Sequence, residues 1–502
     1  MTWLLALASS VLLILSVPGF NAQWLAWIAL APLLYASARE ASPRQRFLMG
    51  WAAGALYWWV VCFWIEYVLE EHGGMSLGLA WLAFFLFGLY KALHLAVFSL
   101  CAGWIPSARW WTPLAWAALW VGIERTHGTF GFAWVPLGGS GIDTTWLMPI
   151  APVLGVYGLS FFFALTAGII ARALGDPSFL GGASFSLRGA LAPLILAVPL
   201  LLLPKTIPAP PDHRAIVVQP SMPESAEWTR DFLDQRLSRL AYLSFSKAAG
   251  HPKSLIIWPE MPGPIYFESD PAFHQLATEI AARNQDYFLF GTTIRDSKGA
   301  PYNSAIMLNP DGGVNGRYDK INLVPFGEFV PAAFSWVNKI TDEPGDFVSG
   351  AQLTLFPVED TKAGVFICYE SAFPDHVRQF ANNGASFFVN VSNDGYFGHS
   401  KAREQHLSIV RMRAAENRRW IIRATNNGIT AVVDPLGHVT DRVPEWQETS
   451  QLMQYGVSQE TTFYSRHGDW FAWLCLLSGS AAVARTLYTS LPWCRAILRG
   501  EA

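Results

Sequence analysis

The stretch "GVFICYES" (364–371) decides how the fold of this 502-residue chain is interpreted. Its first four residues are suited to a buried β-strand. The strand pattern ends at a thiol, Cys368, and a carboxylate, Glu370, follows two positions later. Open α/β domains bind their ligands at the ends of their strands. The stretch therefore predicts an α/β domain in which a strand presents a cysteine at a chemical site.

Strand and helix patterns alternate on both sides of this stretch. Strands are predicted at 214–219, 254–260, 286–293, 303–309, 363–368, 385–391, 420–424 and 429–434. Helices are predicted at 225–249 with Ser225 as the cap, at 271–284, from about 374, and at about 402–418. Such alternation is typical of a layered α/β domain.

The composition of the whole chain indicates a membrane protein with one globular part. Hydrophobic residues make up 52% of the sequence and charged residues 15%, whereas soluble proteins have about 25% charged residues. The distribution of charge predicts transmembrane helices in 1–204, a globular domain in 205–468, and a last helix with a short tail in 469–502. The net charge of −3 argues against a general nucleic-acid-binding surface.

Eight apolar runs are predicted to span the membrane, although the second and fifth are short for the purpose, since a span needs about 20 residues. The runs cover roughly 3–20, 23–38, 48–70, 75–104, 110–126, 148–171, 188–204 and 469–490. Arginine is concentrated after the second, fourth and sixth runs and in the C-terminal tail. Because positively charged loops stay in the cytoplasm, both termini are predicted to be cytoplasmic. The globular domain then lies outside, which in a bacterium is the periplasm.

Lys91 and His94 fall inside the fourth apolar run. An ionisable side chain within a membrane is costly and is a functional candidate by default. The sequence favours a structural interpretation instead, in which Lys91 reaches the membrane surface or pairs with Glu66 or Glu124.

Cys368 is the single cysteine of the globular domain, and the other four cysteines of the chain lie in or beside apolar runs. On an oxidising outer face a cysteine normally forms a disulfide, yet this domain offers no partner. Such a cysteine is a candidate reactive thiol. The alternative is a small buried hydrophobic residue, which is a common role of free cysteine and which this observation alone favours.

Two further reactive side chains are predicted at strand ends or in adjoining loops. Glu260 ends "IIWPE" (256–260), and Lys320 precedes a turn in "YDKINLVPFGEFVP" (318–331). A thiol needs a base to become the nucleophilic thiolate, and a carboxylate can serve. A carbonyl under attack develops an oxyanion, which a cation stabilises. Glu260, Lys320 and Cys368 can therefore supply a base, an oxyanion stabiliser and a nucleophile.

The order Glu, Lys, Cys within "WPE", "KINLVPFGE" and "CYE" resembles the nitrilase, or carbon–nitrogen hydrolase, superfamily, and within it the apolipoprotein N-acyltransferases. The stretches "VNVSNDGYFG" (389–398) and "QHLSIVRMRAAENRRWIIRATNNGITAVVDPLG" (405–437) agree with that family. The resemblance implies a nitrilase-like four-layer α-β-β-α sandwich attached to about eight transmembrane helices. It also implies the catalytic triad Glu260, Lys320 and Cys368, in the roles given above.

The resemblance implies roles for residues around this triad. The positions that support catalysis are Glu328, Tyr369 and Glu370. The positions that contact the substrate are Trp228, Trp336 and Asn393. Glu370 is expected to orient either Lys320 or the base. One departure from the family is Tyr396, which stands where tryptophan is common and which affects only the fit of the substrate.

The implied reaction moves an acyl chain from a membrane phospholipid, through a thioester on Cys368, to an apolipoprotein. The acceptor is the α-amine of the N-terminal diacylglyceryl-cysteine, and the reaction is the last step of bacterial lipoprotein maturation. The implied enzyme is a monomer of the bacterial inner membrane without cofactor or metal. The sequence contains no phosphate-binding loop and no His/Cys/Asp cluster at metal-ligand spacing.

Two alternatives remain open at this level. One is a membrane-anchored nitrilase-type amidase or acyl hydrolase that passes its acyl group to water or to another acceptor, since motifs shared across the superfamily do not fully exclude it. The other is a transporter or scaffold with a degenerate domain. This second alternative predicts a broken triad, whereas all three members are present in family context.

Overall fold

The computed structural model describes residues 1–130, 132–175, 208–223, 227–325, 327–329 and 347–490. The chain forms two compact units. The first comprises Met1–Glu66, Gly78–Lys205 and Asp469–Ala502, and the second comprises Tyr67–Leu77 and Thr206–Gly468. The second unit thus includes a short segment of the apolar N-terminal region, which composition did not distinguish from its neighbours.

The N-terminal part of the first unit is helical. Its helices are α1 (Thr2–Ser16), α2 (Ala31–Arg39), α3 (Pro43–Val61), α4 (Trp64–Tyr67), α5 (Leu77–Lys91), α6 (Leu93–Ala102), α7 (Thr112–Thr129), α8 (Ala151–Leu154) and α9 (Val156–Gly175). A π-helical turn, Val68–His72, follows α4. Small residues allow close helix packing, because a Cβ on Gly50 of α3 would lie 2.5 Å from the carbonyl oxygen of Leu95 in α6.

Three described helices are long and apolar enough to cross a membrane: Leu77–Ala102, Val156–Gly175 and Trp470–Thr489. The pair Pro43–Val61 and Trp64–His72, bent by 57°, gives a fourth if it is one span. The eight predicted spans are therefore not confirmed.

Two of the predicted apolar runs account for part of the difference between the eight predicted spans and the candidate spans in the described residues. The run 23–38 contains a 3-10 turn, Gln23–Trp27, followed by a helix of 9 residues, which is too short to span a membrane. The run 188–204 and the predicted domain boundary after residue 204 lie outside the described residues.

Lys91 ends α5 and is fully buried within the first unit. Its Nζ donates to the backbone carbonyl of Phe132 at 2.9 Å and lies 5.1 Å from the centre of the Trp58 ring. A carbonyl oxygen and an aromatic face both attract an ammonium group. These contacts hold the Lys91 ammonium group in the interior of the first unit, against Phe132 and Trp58.

The second unit is built on two six-stranded sheets. Its strands are β1 (His213–Gln219), β2 (Leu255–Ile257), β3 (Tyr287–Arg295), β4 (Pro301–Leu308), β5 (Val314–Asp319), β6 (Leu355–Val358), β7 (Thr361–Ile367), β8 (Phe387–Ser392), β9 (Ile421–Thr425), β10 (Ala431–Val433), β11 (Val439–Arg442) and β12 (Thr449–Tyr455). The sheet orders are β12-β1-β2-β3-β4-β5 and β11-β10-β9-β8-β7-β6. Strands β1 to β3 are parallel, as are β7 to β9.

Helices cover the outer face of each sheet. They are α10 (Arg230–Ala248), α11 (Pro271–Ala282), α12 (Pro374–Asn382), α13 (Ala402–Asn417) and α14 (Phe463–His467), and α15 (Trp470–Ser490) follows in the first unit. Helices α10 and α11 share a buried core with the first sheet, and α12 and α13 pack on the second. Strand β1 contacts β9 between the sheets. The layer order is therefore α-β-β-α, as the resemblance implied.

Element boundaries differ from the predicted ones for local reasons. β2 ends at Ile257, before the predicted end, because Pro259 has no N–H to continue the ladder. α10 starts after Thr229, whose hydroxyl accepts a hydrogen bond from the Phe232 N–H, and the predicted cap Ser225 lies outside the described residues. Strands β5, β6, β11 and β12 were not predicted, since three of them are largely polar and β6 contains a proline. This omission matters because β5 leads directly into Lys320.

The core of the first sheet contains one polar contact that can be tested. The buried Trp258 donates from Nε1 to Ser244 Oγ at 3.0 Å. Ser244→Ala leaves this N–H without its partner, and we expect a loss of about 1–3 kcal/mol in the free energy of unfolding. The control is Ser246→Ala, which changes an exposed serine two residues along the same helix. Denaturant unfolding of both purified variants measures the difference, and equal stabilities would contradict the expectation.

Candidate active site

The three side chains of the predicted triad lie at or just beyond the ends of strands. Lys320 and Cys368 directly follow β5 and β7, and Glu260 stands three positions after β2. The three residues are buried, with exposed fractions of 3% for Glu260, 1% for Lys320 and 8% for Cys368. Lys320 and Glu260 both act electrostatically on the ionisation of Cys368. The fold therefore brings the three side chains into one cluster.

The Glu260 carboxylate is held by three donors. Its Oε1 accepts hydrogen bonds from Lys320 Nζ at 3.1 Å and from Asn303 Nδ2 at 2.8 Å. Its Oε2 accepts a hydrogen bond from the backbone N–H of Asn393 at 2.9 Å. Asn393, predicted as a substrate contact, thus also holds the Glu260 carboxylate through its main chain.

Lys320 lies between two carboxylates. Its Nζ is 2.8 Å from Glu328 Oε1 as well as 3.1 Å from Glu260 Oε1. Burial alone would lower the pKa of Lys320, but these two carboxylates outweigh it and hold that pKa well above its usual value. Lys320 is therefore an ammonium at neutral pH, as an oxyanion stabiliser must be.

Glu328 fixes the turn that follows Lys320. Its Oε1 also accepts a hydrogen bond from Asn303 Nδ2 at 2.7 Å, and its Oε2 accepts one from the backbone N–H of Val324 at 2.8 Å. Burial raises the pKa of Glu328, while Lys320 acts in the opposite direction. The residue predicted to support catalysis is thus a direct partner of the ammonium group.

Glu370 connects the two chain segments that carry Lys320 and Cys368. Its oxygens accept four hydrogen bonds at 2.7–3.1 Å, from the Tyr318 hydroxyl and from the backbone N–H groups of Ile321, Asn322 and Ile367. These donors flank Lys320 and precede Cys368. Glu370 therefore orients the backbone on both sides of the site, whereas the side chains that contact the Lys320 ammonium directly are Glu260 and Glu328.

The charge of Glu370 is maintained although the carboxyl group is fully buried. Burial alone would raise its pKa, but His376 and the donated hydrogen bonds outweigh that effect and hold the pKa below its ordinary value. A charged carboxylate accepts stronger hydrogen bonds than a neutral carboxyl group. The four bonds therefore form a strong connection between the two segments.

Cys368 begins a short 3-10 helix, Cys368–Ala372, with a backbone φ of +50°. This left-handed conformation is uncommon for a residue with a side chain and indicates local strain. Burial raises the pKa of the Cys368 thiol, Glu260 raises it further, and Lys320 opposes them. The resting thiol is therefore protonated at neutral pH, and its attack requires a base.

The remaining predicted site residues have different environments. The Tyr369 ring is buried and packs edge-on against Phe373 at 5.1 Å. The Trp228 ring is partly exposed, and a Cβ added to Gly263, in the loop after Glu260, would lie 3.0 Å from it. Trp336 lies outside the described residues.

Asn303 is a site residue that the sequence did not reveal. It lies on β4, inside a segment that was interpreted only as an apolar strand. Its amide group donates to both Glu260 and Glu328. An asparagine within an apolar strand pattern was the available signal for a site residue, because buried polar side chains normally have hydrogen-bond partners.

The segment Tyr67–Leu77 packs beside the site within the second unit. The ring centres of His72 and Tyr396 are 4.2 Å apart. Gly398 has a φ of +54°, and a Cβ there would lie 3.1 Å from the Tyr67 ring. Tyr396, which stands where the family commonly has tryptophan, therefore packs against this segment. It lies in the turn that follows Asn393.

In the described ranges, no group of three or more His, Cys, Asp or Glu side chains could hold a metal ion. The chemistry that the site can perform follows from its thiol, its ammonium group and its carboxylates. Together they provide nucleophilic attack on a carbonyl with proton transfer and oxyanion stabilisation.

Two inner sheets that bring a buried thiol, an ammonium group and a carboxylate together define an acyl-transferring domain of the carbon–nitrogen hydrolase type. The family model described as carbon–nitrogen hydrolase matches residues 217–462. A second model, described as the apolipoprotein N-acyltransferase N-terminal domain, matches residues 9–169.

Similarity to curated proteins extends over nearly the whole chain. The apolipoprotein N-acyltransferase of Geobacter metallireducens is 33% identical over 493 residues, which is 96% of this chain and 94% of that protein. That of Azotobacter vinelandii is 34% identical, over 97% and 96% respectively. A solved carbon–nitrogen hydrolase from Helicobacter pylori aligns with a TM-score of 0.37 at 18% identity, over 48% of this chain and 88% of its own. The chain belongs to the apolipoprotein N-acyltransferase family, which confirms the resemblance inferred from its motifs.

The role of Asn303 can be tested by removing its amide. In Asn303→Ala, Glu260 and Glu328 each lose a buried donor, and we expect the acylation rate to fall about 10- to 100-fold, which corresponds to about 1–3 kcal/mol. The control is Asn315→Ala, on the neighbouring strand β5, whose amide donates to Asn309 and Pro357 instead. Initial rates of peptide acylation measure both variants. A normal rate in Asn303→Ala would show that its two bonds do not position the carboxylates.

The protonated state of the thiol can be tested by alkylation. In Glu260→Gln, which lacks the predicted base, the rate of Cys368 alkylation by iodoacetamide should rise about tenfold per pH unit between about pH 7 and 9.5, because only the thiolate reacts. No plateau is expected, since burial keeps the pKa of this thiol above the ordinary value of about 8.5. Mass spectrometry of the Cys368 peptide separates this reaction from that of other cysteines. A rate that levels off near pH 8.5 would contradict the raised pKa.

Proposed function

We propose that this protein transfers an acyl chain from a membrane phospholipid, through a thioester on Cys368, to the N-terminal α-amine of a diacylglyceryl-cysteine apolipoprotein. The observation that carries the proposal is the buried Lys320 ammonium, which lies between two carboxylates in the same cluster as the thiol. Full-length similarity to curated apolipoprotein N-acyltransferases supports the acceptor. The apolar first unit supports a donor taken from the membrane.

In the first half-reaction, Glu260 accepts the proton of the Cys368 thiol, and the sulfur attacks the ester carbonyl of the phospholipid. The negative charge on the tetrahedral carbonyl oxygen is stabilised by Lys320 and by the backbone N–H that follows Cys368. The ester C–O bond then breaks. The lysophospholipid leaves with the proton held by Glu260, and a thioester remains.

In the second half-reaction, the α-amine of the acceptor attacks the thioester carbonyl and loses a proton to Glu260. The same oxyanion forms again, the C–S bond breaks, and the sulfur regains a proton. The product is an amide, and the order of events is ping-pong.

The residues around the triad have separate tasks in this proposal. Glu328 holds Lys320, Glu370 aligns the two backbone segments, and Tyr369 provides the N–H for the oxyanion. The residues that contact the lipid substrates are Trp228, Trp336 and Asn393. Trp228 supports this role because its ring is partly exposed beside the loop after Glu260.

The proposed setting is the bacterial inner membrane, with the catalytic domain on the periplasmic side. About eight spans, cytoplasmic termini and a monomeric state complete the arrangement. The arginines after the second, fourth and sixth apolar runs and in the C-terminal tail support this orientation, because positively charged loops stay in the cytoplasm.

An amidase or acyl hydrolase is the second candidate, since the model that matches the catalytic domain is described as a hydrolase. Both candidates form the same thioester and differ in the acceptor. The acceptor therefore has to be varied in the decisive experiment.

Intact-protein mass spectrometry after incubation with phospholipid vesicles tests both half-reactions. Wild type should gain one acyl mass that hydroxylamine removes, and Cys368→Ser should gain no hydroxylamine-labile mass. The control Cys475→Ser removes a buried cysteine of the first unit and should behave as wild type.

Addition of a diacylglyceryl-cysteine peptide then distinguishes the acceptors. Discharge of the acyl chain onto the peptide is the expected outcome. A thioester that water discharges equally fast with or without peptide would favour the hydrolase. Absence of any acyl mass on folded wild type would overturn the phospholipid donor.

A further inference from the structure

A buried imidazole lies behind the nucleophile and is not used by the mechanism above. His406 belongs to α13 and has no exposed surface. Its Nε2 lies 3.1 Å from the backbone carbonyl oxygen of Cys368 and 2.9 Å from Ser371 Oγ. The family resemblance covers this helix but implies no role for His406.

The opposite side of the ring is fixed by a buried ion pair. His406 Nδ1 lies 3.0 Å from Asp394 Oδ1 and 3.1 Å from Arg423 Nη2. Arg423 Nη2 donates to the two Asp394 oxygens at 2.8 and 2.6 Å, and Ser392 Oγ donates to Asp394 Oδ1 at 2.8 Å. Because Asp394, His406 and Arg423 are all fully buried, the imidazole has little freedom to move.

The Cys368 carbonyl requires a proton on Nε2 of the ring. A carbonyl oxygen can only accept a hydrogen bond, so its contact with Nε2 is a bond when Nε2 is the donor. Nδ1 lies between an acceptor, Asp394 Oδ1, and a donor, Arg423 Nη2. Burial and the Arg423 charge lower the pKa of His406, while Asp394 and the contact with the Cys368 carbonyl act in the opposite direction.

This bond acts on the strained part of the site. A planar trans peptide directs its C=O and its N–H to opposite sides. The carbonyl of Cys368 and the N–H of Tyr369 belong to one peptide, and Cys368 has a φ of +50°. A donor that holds the carbonyl on one side therefore fixes the direction of the N–H on the other.

We propose that His406 is a positioning residue whose Nε2–H anchors the Cys368 carbonyl and thereby aims the Tyr369 N–H at the oxyanion. Asp394 and Arg423 hold the ring in place for this purpose. The inference rests on the proposed role of Cys368 as nucleophile. It predicts that His406 affects only those reactions of the thiol that pass through an oxyanion.

Two reactions of the same thiol separate this role from a structural one. Acylation by phospholipid forms an oxyanion, whereas alkylation by iodoacetamide displaces iodide at a saturated carbon and forms none. In His406→Asn the side-chain amide can occupy the position of Nδ1 but does not reach the carbonyl. We expect the acylation rate to fall about 10- to 100-fold. This loss is smaller than the loss of about 10²–10³-fold in rate that follows when a hydrogen-bond donor to the oxyanion is itself removed. The alkylation rate and the KM for phospholipid should stay within about threefold of wild type.

The conservative variant is His406→Gln, which is longer by one methylene and places an amide N–H near the position of Nε2. We expect it to restore most of the acylation rate. The control is Asn417→Ala, which removes a buried, hydrogen-bonded side chain from the same helix. It should lower stability without changing the ratio of acylation to alkylation.

Three outcomes would overturn the inference. The first is a loss of acylation and alkylation in parallel in His406→Asn, as a structural defect would cause. The second is the same selective loss in Ser371→Ala, which would show that Nε2 accepts from the Ser371 hydroxyl. The third is a normal acylation rate in His406→Asn. If wild type itself forms no thioester, the proposed function fails instead, so the two failures are distinguishable.

Discussion

One buried ammonium group between two carboxylates is the interaction on which the catalytic domain depends. Burying a single unpaired charge costs several kcal/mol even after relaxation. Here Lys320 is paired with Glu260 and Glu328 through the Oε1 atom of each, and Asn303 donates to the same two oxygens. Two backbone N–H groups bind the two Oε2 atoms. The cluster carries one excess negative charge when both carboxylates are ionised. The pairing that permits the burial therefore also helps to keep the neighbouring thiol protonated until substrate arrives.

This cluster exists only when both sheets are in place. Glu260 and Lys320 follow strands of the first sheet, and Cys368 follows a strand of the second. Glu370 links them, because it accepts hydrogen bonds from backbone on both sides of the site. The catalytic geometry is thus a property of the packed α-β-β-α sandwich and not of one loop.

The sequence predicted the parts of the site that have a local pattern and missed those that depend on register. Cys368 and Glu260 could be found because each follows an apolar strand. The strand that leads to Lys320, β5, is polar and was therefore not predicted. Asn303 and His406 could not be assigned partners, because their contacts join segments far apart in the chain. Hydropathy likewise located apolar runs but not their breaks, as in the 3-10 turn Gln23–Trp27.

Polar side chains hold the backbone on both sides of Cys368. Glu370 binds the N–H of Ile367, immediately before Cys368, and His406 lies against the Cys368 carbonyl. Such a surrounding structure is what maintains a strained φ at a functional residue. In the proposed reaction, ester cleavage and amide formation develop negative charge on the same carbonyl oxygen. A single well-oriented peptide therefore serves both half-reactions, and the strain at Cys368 is useful twice in each catalytic cycle.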